Sequence, residues 1–272
     1  MKKFSGIQGA WLLGAALALL AVAGHARADE EEDAFFALPS PNEILSASEN
    51  QGLKITVSEK EARVIGTNLS ELAKKDPQRA CFIMGRIFAI SGFKFKELNN
   101  AVLLSLAQKI YDGIKGLELP EALQSEINRQ YVKMIANPKW ERGELMLAFT
   151  SARSSLMFLL KDTKKLDEAT RNRVEDLGLM LELGIWFESL HLATLSVRPP
   201  QDLTAFHTVY FMEDVLTYFG GAIAKILKRE GEKPHYLSLK AANDRAVAVA
   251  KDGKVEAAEV EQMKELLQKV ME

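Results

Sequence analysis

The sequence predicts an all-α protein, a single-domain bundle of about nine helices around two central, mostly apolar helices at 77–91 and 166–196. Three observations carry that expectation. Prolines 77, 120, 138, 199, 200 and 234 punctuate the chain, and the intervals between them place apolar residues at helical spacing. No sustained period-two alternation appears, and only Lys54 to Val57 hints at a strand. Two segments, Cys81 to Ile90 and Leu177 to Phe187, are apolar nearly all the way round a helix. A helix without a polar face must be covered on every side, so these two belong at the centre.

Taken in order, the chain opens with Lys2 and Lys3, an apolar run from Ala10 to Ala23, and Ala26-Arg27-Ala28. That is the three-part pattern of a signal peptide cleaved after Ala28, which places the mature protein in the periplasm or outside the cell. The apolar run is shorter than the roughly 20 residues that cross a bilayer, and no later segment is longer. Removing Lys2, Lys3 and Arg27 leaves 32 basic residues against 37 acidic ones, a formal charge of −5. A mildly acidic chain without a basic, aromatic-rich patch has little attraction for nucleic acid. A composition of 47% apolar and 26% charged residues excludes a wholly disordered or collagen-like chain, and one cysteine excludes an internal disulfide framework. Cys81, inside an apolar run, reads as a small core residue.

Residues 29–56 read as a tether. The block Asp29 to Asp33 is acidic, Phe35, Phe36 and Leu38 follow, and Pro39-Ser40-Pro41 interrupts regular structure. Order is expected from residue 57 to 272, with helices at 58–74, 77–91, 95–115, 120–136, 138–161, 166–196, 201–229, 235–251 and 254–271. Ser58 with Glu61 has the spacing of a capping box, and Asp76 and Asn137 precede prolines as N-caps. Gly92, Gly116 and Gly253 fit C-terminal caps, while Lys225, Lys228 and Arg229 suit the negative end of a helix dipole. Met84-Gly85-Arg86-Ile87-Phe88 can be laid over Leu183-Gly184-Ile185-Trp186-Phe187, a faint internal duplication that makes Gly85 and Gly184 the point of closest approach.

Ionisable groups inside apolar helices are the informative residues, since an unpaired buried charge costs several kcal/mol. They are Arg86, Glu182, Glu188 and His191. Arg86 is expected to reach solvent or to pair with Glu182 or Glu188 as a structural clamp. Glu188 and His191 share a helical face, and the segment after Pro199-Pro200 carries His207, Tyr210, Asp214, Thr217 and Gly221 at steps of three and four. An antiparallel fold-back at those prolines would bring Glu188, His191, His207 and Asp214 together.

Three uses of that cluster compete: a satisfied polar network that sets helix register, an acid–base pocket, and a metal site. For a pocket, Tyr210, Thr217, Trp186 and Arg86 are the candidate ligand contacts. The metal reading rests on the E-x-x-H spacing of Glu188 and His191, and its second instance, Glu232 to His235, contains Pro234. No nucleophile elbow, phosphate loop or dinucleotide fingerprint appears, and no cofactor is implied. The chain therefore reads as an exported helical binding or scaffold protein, whose partner is an envelope or secreted protein or an apolar small molecule. The alternatives are an acid–base enzyme using Glu188, His191 and His207, and a structural component of an envelope assembly.

Overall fold

A computed structural model describes Pro39 to Glu272, except residues 95–97, 138 and 162 and the side chain of Met146. The signal segment, the acidic block and the Phe35, Phe36 and Leu38 trio lie outside the described residues. All regular structure among the described residues is helical: α1 (Pro41–Asn50), α2 (Glu59–Ala62), α3 (Leu69–Lys75), α4 (Pro77–Phe93), α5 (Asn100–Gly116) and α6 (Glu121–Ile135), followed by α7 (Arg142–Lys161), α8 (Glu168–Ser196), α9 (Leu203–Tyr210), α10 (Glu213–Glu230), α11 (Pro234–Asp252) and α12 (Ala257–Met271). A single 3₁₀ turn, Arg63–Gly66, follows α2. No helix among the described residues is long and apolar enough to cross a membrane.

The all-α class holds, but among the described residues twelve helices stand where about nine were expected, because local caps break the longer segments. Residues 41–50 form α1 instead of a tether. Ser40 and Glu43 make a reciprocal capping box there, with Pro41 in the first turn. The expected helix at 58–74 divides: Ser58 caps only one turn, and Asn68 starts α3 by accepting from the Glu71 amide at 3.3 Å. The expected helix at 201–229 breaks at Phe211 and Met212, after which Glu213 and Asp214 place negative charge at the N-terminus of α10. The helix expected from 138 begins at Arg142, and Asn137 accepts from the Lys139 amide in the turn before it.

The centre is the crossing of α4 and α8. Every residue from Ala80 to Gly92 and from Met180 to Thr194 is buried. A Cβ on Gly85 would lie 2.1 Å from the Leu181 carbonyl oxygen, and one on Gly184 would lie 2.1 Å from the Phe82 carbonyl oxygen. The two backbones thus touch reciprocally, each presenting an α-hydrogen where any other residue would carry a methylene. Gly92 and Gly116 are not left-handed caps. A side chain at Gly92 would meet Pro41, and one at Gly116 would meet Ala73, so both let a neighbouring helix approach. Gly253, at φ +67°, is the left-handed cap of α11.

Around this crossing, α5, α6 and α7 pack in succession after α4, and α10, α11 and α12 do so after α8. Short side-chain bonds close the ring: Tyr236 of α11 donates to Gln78 of α4, and Asn243 donates to the Leu216 carbonyl at 3.0 Å.

Gly184→Ala should lower the urea midpoint by the equivalent of about 3 kcal/mol or more, because backbone on a rigid helix cannot yield. Gly221→Ala, on an open face where an added Cβ meets nothing within 4 Å, should stabilise by about 0.5 to 1 kcal/mol.

Candidate functional site

Helix α8 carries three buried carboxylates through the core, Asp176, Glu182 and Glu188, which are 3%, 1% and 0% exposed. Their spacing of six residues turns each about 240° from the last, so they leave the helix in three directions about 120° apart. Each meets a cation from a different helix. Arg86 Nε of α4 lies 2.6 Å from Glu188 Oε2, Lys161 Nζ of α7 lies 2.5 Å from Glu182 Oε1, and an Arg229 guanidinium nitrogen of α10 lies 2.7 Å from Asp176 Oδ1. Tyr218 donates a second bond to Glu182 at 2.8 Å, and Arg86 also donates to the Met271 carbonyl at 2.9 Å, which draws in α12.

Of the two outcomes expected for Arg86, the structure shows the pairing with Glu188. Burial pushes all three carboxyls above their ordinary range, and the adjacent cation pulls each back. Such pairs add little net stability over a well-packed apolar substitute, yet removing one partner strands a charge in the core.

His191, one turn beyond Glu188, is 3% exposed, and its Nδ1 has no hydrogen-bond partner. Burial first, then the positive charges of Arg86, Lys60 and Lys264, bring its pKa down to about 4, against the opposing charge of Glu61. The ring is neutral at pH 7. Ser189, beside Glu188, donates to the Ile185 carbonyl within its own helix.

The other expected site residues separate from this pair. Helix α9 packs on α1 and does not form the antiparallel hairpin on α8 expected from Pro199-Pro200. His207 stacks on Phe211 with ring centroids 5.8 Å apart, and Tyr210 shares a hydrogen bond with Ser48 of α1 at 3.0 Å. Asp214 and Thr217 stand exposed on α10. Neither His207 nor Asp214 is among the charges acting on His191. Trp186 is buried between Tyr210 and Phe219, at 6.5 Å and 6.0 Å between ring centroids. Among the described residues no hydrogen bond or ion pair joins Glu188 or His191 to His207 or Asp214, and the helix expected to carry the latter two together is broken at Phe211 and Met212.

Among the described residues no three His, Cys, Asp or Glu side chains gather as a metal group. A cleft lined by Arg79, Phe82, His235, Leu239 and Met271 encloses about 20 Å³, room for a water and not for an apolar ligand.

Sequence reasoning missed Asp176, Lys161, Tyr218 and Arg229. The six-residue repeat of acids along α8 was the available signal, but their partners lie on helices whose packing the sequence does not spell out. The most exposed large apolar side chains were missed as well: Leu147, 71% exposed, and Phe158, 57% exposed, both on the outer side of α7. No known protein family, curated protein or solved structure matches the chain.

Glu188→Ala should cost about 3 to 5 kcal/mol in urea unfolding at pH 7, and the double change Arg86→Met with Glu188→Leu should cost less than the single one. His191 should also make stability depend on pH. Its folded pKa, about 4, lies below the ordinary 6.5, so between those values the unfolded chain takes up a proton that the folded one refuses. Stability then falls as pH drops from 6.5 to 4, by up to about 3 kcal/mol, and His191→Gln should flatten that part of the profile.

Proposed function

We propose that this protein is exported and works as a helical scaffold that binds another protein through the outer face of α7. The observation that carries the reading is on α7 itself. Between Glu144 and Lys161 its sole charged residue is Arg153, and that side chain turns inward, 6% exposed. What faces outward is Leu147, Ser151, Ser154 and Phe158. A chain with 26% charged residues has ample means to cover a surface helix with charge. An uncharged stripe bounded by two exposed large apolar groups is the kind of surface that protein partners cover.

The ion pair of Glu188 with Arg86 and the burial of Glu188 and His191 support the structural use of that pair over acid–base chemistry, and the 20 Å³ cleft gives no support to an apolar small ligand. The Lys2–Lys3 start, the apolar run and Ala26-Arg27-Ala28 support export to the periplasm or beyond. The faint internal duplication belongs to the same proposal. It is supported by the reciprocal placing of Gly85 and Gly184.

The chain recovered from the host's exported fraction should begin at Asp29 by intact mass. Photo-crosslinking from a benzophenone amino acid at position 151 should trap a defined partner protein, and the double change Leu147→Glu with Phe158→Glu should abolish the adduct. That variant should keep its helical circular dichroism and lose less than about 1 kcal/mol of stability, since both sites face solvent. An adduct that survives both substitutions overturns the reading.

A further inference from the structure

The outward face of α7 reads nearly the same in both directions. Glu144, Leu147, Ser151, Ser154, Phe158 and Lys161 follow one another at steps of three, four, three, four and three. At 100° per residue these six fall within one narrow stripe. The pattern has a centre between positions 152 and 153. Turning the helix end for end about that centre sets Leu147 opposite Phe158, Ser151 opposite Ser154, and Glu144 opposite Lys161. Just beyond the helix ends, the same operation sets exposed Glu141 opposite exposed Lys164. No position from 139 to 166 meets a like charge.

We infer that α7 pairs with α7 of a second copy of this chain, antiparallel about a two-fold axis that passes between positions 152 and 153. The inference rests on the protein-binding reading above and names the partner. An isologous interface requires one patch that complements itself, and this stripe does so in size, shape and charge. Each large apolar side chain at one end meets the other large apolar side chain of the opposite copy. The two small serines at the centre let the helix axes come within about 8 to 10 Å. Opposite charges meet at both ends. Lys161 already holds Glu182, but its side chain is 21% exposed and sits at the margin of the stripe, so Glu144 of the second copy adds a second carboxylate at its outer side. Arg153 lies at the centre of the palindrome yet is turned into its own chain, so the axis carries no like-charge clash. A single helix stripe is smaller than the roughly 1,000 Å² of a robust interface, so the dimer is a weak one.

The test is sedimentation velocity of the purified chain over a concentration series, joined to spin-label distances. The expected result is a monomer–dimer equilibrium with a midpoint of roughly 1 to 100 µM. Cys81 is fully buried and will not label. Labels at Glu144→Cys should lie about 27 Å apart in backbone position and labels at Ser151→Cys about 10 Å apart, whereas a parallel pair would bring both within about 10 Å. Glu141→Lys and Lys164→Glu should each weaken the dimer roughly fivefold, and the two together should restore it.

A dimer that resists Leu147→Glu with Phe158→Glu, or parallel distances, overturns the inference. A chain that stays monomeric to about 1 mM overturns it too. If that monomer still forms the position-151 adduct with another protein, the protein-binding reading survives and only the second copy is rejected as its partner. If the adduct is also insensitive to the Leu147 and Phe158 changes, both fail.

Discussion

The contact between Gly85 and Gly184 is the constraint on which the remaining architecture rests. Two helices that touch backbone to backbone have no side-chain layer between them at that point, so their relative position is set by hard surfaces. Arg86 follows Gly85 directly, and Glu188 lies one turn after Gly184 on the same face. The close crossing therefore brings guanidinium to carboxylate at 2.6 Å without an extended reach from either side. The same guanidinium then holds the Met271 carbonyl, and α12 is drawn against the crossing. A wider crossing would loosen the ion pair and the C-terminal helix together.

From that crossing outward, α8 acts as a hub. Its three acids point to three neighbouring helices, and each acid finds one cation. Apolar packing supplies most of the stabilisation but is poor at distinguishing one rotation of a helix from the next. A buried charge distinguishes them sharply, since a wrong rotation leaves it unpaired. The ionisable groups of the core are thus spent on orienting helices. His191, 3% exposed, is kept neutral by burial and by the cations around it. Among the described residues the two most exposed large apolar side chains, Leu147 and Phe158, lie on α7.

Much of this was legible in the residues and some of it was not. The apolar circumference of 81–90 and 177–187 marked the two central helices, and Gly85 in one with Gly184 in the other marked their crossing. An arginine in one and acids in the other left either a route to solvent or an ion pair, and Arg86 found Glu188. The helix count failed at places where a short capping signal outweighed a continuous apolar pattern. Ser40-Pro41 with Glu43 starts a helix inside what reads as a tether, Asn68 with Glu71 restarts one, and Glu213-Asp214 starts another just after Phe211. Each signal is only three or four residues long, and each is as physical as the longer periodicity that masked it.

The sequence by itself determined the class of fold, the identity of the buried helices and the need for their charges to be neutralised, because periodicity and burial cost are properties of the chain read along its length. Only the tertiary structure decided which cation meets which acid, that His207 and Asp214 part from His191, and that Leu147 and Phe158 face outward. Those outcomes depend on the rotation and direction of helices far apart in sequence. Such rotations are settled by backbone contacts like that of Gly85 with Gly184 and by the packing of whole layers, which no short stretch of residues encodes.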